Sequence, residues 1–322
     1  MAKIGYTLMC EQTPARQLVD FAARAEQAGF DYAVISDHYF PWLEEMGHSP
    51  YAWSVLGAAA QATERLPLMT YVTCPTMRYH PAVVAQKAAT MAVLSGGRFS
   101  LGLGAGENLN EHVIGEGWPS ADTRHRMLVE AVRIIKELLG GGYVTYQGEF
   151  YDVDSAKLYD LPEEPIPIGI AASGGDSARL AAEHADILVV NEPMPEVVRR
   201  FQGDGGSGKP VYGQLALSYD TDAEAARERA HRLWRWASAG GWKVLAELPG
   251  PVNFAAATGT VRPEDVARSV PCGADVDAVV EAARAYVEAG HTHIALVQIG
   301  ADQQEPFFSW AEKELLPALR RL

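Results

Sequence analysis

An aspartate followed directly by a histidine, Asp37 and His38, with Trp42 four positions beyond the histidine, is the pattern best equipped for chemistry. An imidazole titrates near neutrality and can take a proton from a hydroxyl, and an indole beside it can wall off a pocket. A histidine in a loop often does no more than meet solvent. This one follows an apolar run at 32–35 that reads as a strand, and in a barrel of parallel strands the active site gathers at the strands' C-terminal ends. The same test at the other strand ends collects Cys10 and Glu11; Thr73 and Cys74; Glu107, Asn108 and Asn110; Ala172, Ser173, Gly174 and Gly175; and Asn191 with Glu192. Carboxylates, one imidazole and small residues thus converge on a single rim. His48 and His80 lie in comparable loops without an adjacent carboxylate and read as structural.

Gly102, Gly104 and Gly106 form GLGAGE, which superficially matches a dinucleotide fingerprint. The spacing is GxGxG, Glu107 would turn a carboxylate toward a pyrophosphate, and the segment lies outside the first strand–helix–strand unit. These small residues are better read as letting a flat ligand approach the backbone. Ser173, Gly174 and Gly175, just before a helical segment, suit a phosphate, because backbone N–H groups at a helix N-terminus favour anions; such turns also occur without a ligand. Cys10, Cys74 and Cys272 are far apart and lack zinc-ligand spacing, so no metal site is expected.

The elements that must position these residues follow a regular rhythm. Strand-like runs at 3–9, 32–35, 66–72, 98–103, 166–171, 187–190, 211–219 and 294–299 alternate with Ala-rich helical stretches, from 14–28 to 305–319. Eight strands in this order predict an α/β fold, a TIM (β/α)8 barrel, with all of 1–322 as one domain. Insertions in the βα loops fall at about 105–122, 143–165 and 237–270. The second holds an alternating Tyr/Val/Phe pattern that predicts a hairpin. The third, rich in glycine and proline, reads as a long loop over the substrate mouth.

A formal charge of −14, with 27 basic residues scattered along the chain, opposes nucleic-acid binding. No apolar run is long enough to span a membrane, the first residues lack a signal-peptide pattern, and the cysteines fit a reducing compartment; together they predict a cytoplasmic protein.

Several segments carry a family resemblance: IGYTLMCEQ, ISDHYFPW with GHSP behind it, VTCPTMRYHPAVVAQ, RFSLGLGAGENLNE, PIGIAASGG and LLPALRRL. Spread over nearly the whole chain, they resemble the deazaflavin-dependent branch of the bacterial luciferase-like superfamily, specifically enzymes related to F420-dependent glucose-6-phosphate dehydrogenase. The resemblance implies a homodimeric barrel holding coenzyme F420 at its mouth. It places the catalytic histidine on His38, the active-site tryptophan on Trp42, and two functional glutamates on Glu11 and Glu107. Cofactor contacts fall on Asp37, on a bulge at Tyr71 and Val72 that contains a non-proline cis peptide in relatives, on Cys74, Gly106 and Asn110, and on Ala172, Ser173, Gly174 and Gly175 as a phosphate turn.

By this resemblance His38, oriented by a carboxylate, removes the proton of a substrate hydroxyl as hydride leaves for C5 of the deazaflavin. Glu107 supports the ring's N1 region, and Trp42 and Glu11 position the substrate. Substrate contacts fall on Asn191, Lys243 and Arg268, but Met194 stands where sugar-phosphate relatives carry a lysine and Glu192 is nearby, which disfavours glucose 6-phosphate and leaves a sugar, another sugar phosphate or a secondary alcohol as the substrate. Two alternatives share the fold: an FMN-dependent monooxygenase, and a deazaflavin-binding protein without turnover.

Overall fold

The alternation of strands and helices closes on itself. The computed structural model describes residues 1–322. Its strands are β1 (Lys3–Leu8), β2 (Tyr32–Ile35), β3 (Leu68–Thr70), β4 (Phe99–Leu103), β5 (Val144–Gln147), β6 (Asp152–Ala156), β7 (Ile168–Ala171), β8 (Ile187–Val189), β9 (Val211–Leu217) and β10 (His293–Gln298). All but β5 and β6 form one closed parallel barrel, in which β10 pairs with β1 through Gly5 opposite Ala295. β5 and β6 form the expected antiparallel hairpin between β4 and β7.

The first helices are α1 (Ala15–Ala28), α2 (Ala52–Ala62), α3 (Pro81–Leu94), α4 (Asn108–Glu111) and α5 (Ala121–Leu139). Next come α6 (Gly175–His184), α7 (Pro195–Phe201), α8 (Ala223–Trp234), α9 (Trp242–Leu245), α10 (Pro251–Ala257) and α11 (Pro263–Val266). The chain ends with α12 (Val276–Glu288), α13 (Gln304–Trp310) and α14 (Leu316–Leu319), the last two joined by a wider turn where the sequence predicts one helix. Side chains alternate across each strand. Tyr32 and Val34 of β2 therefore fill the barrel with Met69, Ile187, Val189 and Ala295, while Ala33 and Ile35 join the layer between strands and helices. His80, read as structural, caps α3: its Nδ1 accepts the Ala82 amide at 3.2 Å.

The insertion at 237–270 departs from expectation. It is not a loop but three short helices, α9, α10 and α11, preceded by a tight turn at Arg235–Ser238. Its glycines and prolines punctuate helix starts: Gly241 and Gly250 precede α9 and α10, and Pro251 and Pro263 open α10 and α11. Trp236, Leu245, Phe254 and Val266 of this segment share one buried cluster with Met9, Trp42, Leu43 and Leu109, which follow β1, β2 and β4. The segment is therefore a folded cover on the barrel mouth.

Candidate active site

His38 follows β2 on the C-terminal face of the barrel. Its Nδ1 lies 3.1 Å from the Phe40 carbonyl oxygen and 3.5 Å from Glu11 Oε1. Both neighbours accept hydrogen bonds, so Nδ1 is the donor, and in the neutral ring Nε2 has the lone pair. Glu11 sits in the turn Cys10–Gln12 after β1 with only 2% of its surface exposed. The Ser36 hydroxyl donates to Glu11 Oε2 at 2.5 Å and accepts the Cys10 amide at 3.1 Å, so the carboxylate is fixed from two strands. The His38 ring stands 4.8 Å from that of Trp42, whose indole stacks on Trp236 of the cover at 4.1 Å.

The carboxylate beside His38 is thus Glu11, not its sequence neighbour Asp37. Consecutive side chains leaving a strand point to opposite sides, and Asp37 follows Ile35 toward the layer between strands and helices. Its buried carboxylate accepts Trp53 Nε1 at 3.1 Å and Thr73 Oγ1 at 2.7 Å on one oxygen, and Tyr79 OH at 3.2 Å on the other. Any contact it makes with a ligand at the mouth must come from its backbone.

Across the mouth, half-buried Glu107 follows β4, and its Oε2 accepts Asn110 Nδ2 at 3.2 Å. The amide oxygen of Asn110 accepts the backbone N–H of Tyr39 at 2.8 Å and of Phe40 at 3.3 Å. One asparagine on α4 therefore holds both the glutamate and the loop that presents His38. The cover joins the same helix, because the Asn108 amide donates to the Ala246 carbonyl at 2.9 Å.

The chain leaving β3 packs against the chain leaving β4. The Tyr71–Val72 peptide is cis, as the resemblance implies; the Tyr71 side chain enters the barrel interior and Val72 faces Gly104. A Cβ on Gly104 would lie 2.6 Å from Val72 Cγ2. One on Gly106, whose φ is +84°, would lie 2.6 Å from Cys74 Sγ. Each glycine thus makes room for a neighbouring side chain, Val72 against buried Gly104 and Cys74 against Gly106. Cys74 is buried against Thr76 Oγ1 at 2.9 Å, and burial pushes its thiol well above the ordinary range.

Farther along the rim, Ala172 is buried and Ser173 is exposed. The Ser177 hydroxyl accepts the amides of Ser173 and Gly174 at 3.2 and 3.3 Å, just before Gly175 opens α6. Asn191 is exposed and offers its carbonyl to Tyr286 OH. Lys243 is exposed on α9, and Arg268 is 74% exposed and paired with Asp265 at 3.3 Å, so neither touches the His38 cluster. A separate cleft of about 490 Å³ between α5, the hairpin and α6 is lined by mixed charges, including Arg126, Glu149, Asp176 and Arg179.

Two site residues escaped the sequence reading, Arg78 and Glu111. The Arg78 backbone amide donates to Glu111 Oε2 at 2.8 Å, and its guanidinium Nε lies 3.5 Å from Glu111 Oε1. Burial pushes the Glu111 carboxyl up to about 7 against the opposing pull of Arg78. The available signals were Glu111's i+4 spacing from Glu107 and an arginine just ahead of α3.

A closed parallel barrel with a histidine and two glutamates gathered at its C-terminal face defines a TIM-barrel enzyme. The chain belongs to the luciferase-like family: the family model described as Luciferase-like monooxygenase matches residues 2–293. It is 36% identical to an F420-dependent glucose-6-phosphate dehydrogenase of Amycolatopsis mediterranei (strain U-32), covering 100% of both chains. A namesake from Rhodococcus erythropolis (strain PR4 / NBRC 100887) is 37% identical, over 99% of this chain and 98% of the relative. Among solved structures, an F420-dependent secondary alcohol dehydrogenase in complex with an F420-acetone adduct is similar, with a TM-score of 0.90 at 28% identity over 99% of each chain.

Proposed function

We propose that this protein is an F420-dependent oxidoreductase acting on a small hydroxyl-bearing substrate or the corresponding carbonyl compound. The observation that carries this reading is the placement of His38 Nδ1 between two acceptors, which leaves Nε2 free to exchange a proton with a hydroxyl. Bound coenzyme F420 would supply a hydride acceptor or donor at C5 of its deazaflavin. The ring would lie against Val72, Gly104 and Gly106, with Asp37, Tyr71, Cys74 and Asn110 nearby, and the phosphate at Ala172, Ser173, Gly174 and Gly175, where it would take over the Ser173 and Gly174 amides from Ser177 Oγ. Glu11 would stabilise the imidazolium formed when His38 takes the proton, and Glu107 would face charge developing on the ring. Trp42 and the cover would exclude water from the reacting atoms.

Charge at the mouth favours an unphosphorylated alcohol over a sugar phosphate. Arg78 is engaged by Asp37 and Glu111, Arg124 by Glu247, Arg229 by Asp220, Arg235 by Glu45 and Arg268 by Asp265. Glu11, Glu107 and Glu192 make the rim acidic, which opposes a dianion, and exposed Lys243 alone does not offset them. Asn191 is the polar rim residue left for a neutral hydroxyl. We further propose a homodimer acting in the cytoplasm, as the family resemblance implies, checked by light scattering and fractionation; no helix is long and apolar enough to cross a membrane.

Separate titrations with F420 and FMN, followed by ligand fluorescence, test the cofactor. Tight FMN binding with no F420 response would overturn the proposal in favour of flavin chemistry. Secondary alcohols and sugar phosphates are then compared as reductants of bound F420. His38→Ala should lose turnover and keep F420 binding; full activity in that variant would remove His38 from the mechanism.

A further inference from the structure

The base and the half-buried glutamate stand on different strands, His38 after β2 and Glu107 after β4, with β3 between them. Their relative position must be held by something that reaches both. Asn110 is the near link, gripping Tyr39 and Phe40 with its oxygen and Glu107 with its nitrogen. Behind it lies Arg78, in the loop between β3 and α3. Its Nη2 donates to the Asp37 main-chain oxygen at 2.8 Å, one residue before His38, and lies 3.4 Å from Asp37 Oδ1. The Nε of the same guanidinium lies 3.5 Å from Oε1 of Glu111, the neighbour of Asn110 on α4. Side-chain exposure is 9% for Arg78, 0% for Asp37 and 1% for Glu111, so the two carboxylates share one buried cation away from solvent.

We propose that Arg78 is a positioning residue for the reaction: its guanidinium ties the backbone before His38 to the helix carrying Asn110, and so fixes the base relative to Glu107 before any ligand enters. A planar cation with donors on two edges can bridge carboxylates on separate elements, which a lysine ammonium does less well. Removing it takes the cation from between two buried carboxylates that keep their other partners, Trp53, Thr73 and Tyr79 on Asp37 and the residue-78 amide on Glu111, so α4 and the 37–40 loop are held together less tightly. The Phe40 carbonyl then loses its register with His38 Nδ1, and with it the tautomer that leaves Nε2 as the base. Arg78 acts through His38 and touches no reacting atom. The inference rests on the reading of His38 as the base, but the geometry it concerns can be measured without turnover.

The test uses the whole protein as Arg78→Met and Arg78→Lys, with Asn110→Ala as the near link. Melting curves and F420 titration establish folding and binding, and imidazole 15N spectra, with His38 assigned by its loss in His38→Ala, report the tautomer. For folded Arg78→Met, kcat should fall by at least about tenfold while the F420 Kd changes by less than about threefold, and Arg78→Lys should recover part of the loss. Adding Asn110→Ala to Arg78→Met should cost less than the two single losses multiplied, because both act on one linkage. His38 should lose its single Nδ1–H signature in Arg78→Met and retain it in part in Arg78→Lys. If Arg78→Met does not fold, Arg78→Lys carries the test: wild-type kcat together with an unchanged tautomer would overturn the proposal. An unaltered His38 spectrum in folded Arg78→Met would overturn it whatever the activity. Wild-type protein inert with F420 would sink the functional reading, while the spectra would still decide whether Arg78 orders His38.

Discussion

Replacing Glu11 by Gln isolates the electrostatic part of the site. The substitution keeps shape and the Ser36 hydrogen bond and removes one negative charge 3.5 Å from His38 Nδ1. When His38 takes a proton its ring becomes cationic, and a carboxylate at that distance in surroundings of effective dielectric about 20 attracts it by about 5 kcal/mol. A glutamine oxygen retains part of this as a neutral hydrogen-bond acceptor, so the net loss should be about 2–3 kcal/mol, or roughly 30- to 150-fold in rate. In the proposed scheme the imidazolium forms only as the substrate proton is taken, so the loss should fall equally on kcat and kcat/KM, with KM little changed. Steady-state cofactor fluorescence with a secondary alcohol in excess measures both constants. A folded Glu11→Gln variant with kcat within about threefold of wild type would show that no imidazolium develops beside Glu11, and the proton-transfer scheme would fall.

Burial raises the Glu111 carboxyl from 4.5 to about 7, so in this range the folded protein binds more protons than the unfolded chain and stability falls as pH rises through the window. The Tm of wild type minus that of Glu111→Gln should therefore decrease from about pH 5 to about pH 8; a difference independent of pH would refute the assignment. Phe254 is fully buried in the cover, and Phe254→Ala should cost about 3–5 kcal/mol locally, read as faster proteolysis of the 235–270 segment and a raised substrate KM with F420 affinity maintained.

The barrel was legible because its code is local: β-branched runs, alternating parity and Ala-rich helices repeat often enough that eight strands could be counted. Glu11, His38 and Glu107 were legible because the barrel rule ties position at a strand end to exposure at the mouth. The pairing among them was not. Adjacency in sequence made Asp37 the natural partner of His38, whereas strand geometry sends neighbours apart and brings Glu11 across from β1. Arg78 was hidden for a related reason: its two partners lie 41 and 33 positions away, at distances only the folded chain reveals. The cover was misread as a loop because helices of four to seven residues are too short to show periodicity, and their prolines and glycines look like breakers when they are starts.

The cover also has a consequence for how such a protein could change its diet. The proposed base His38, Glu11 and Glu107, the Gly104 and Gly106 turn and the Arg78 linkage all lie between Glu11 and Glu111, in about the first third of the chain. The aromatic roof over them comes from one later, contiguous stretch that meets the first third chiefly through apolar contacts and the backbone of Ala246 and Glu247. Selection of the alcohol can thus drift, or be engineered by grafting a single segment, while the proton-handling machinery stays untouched.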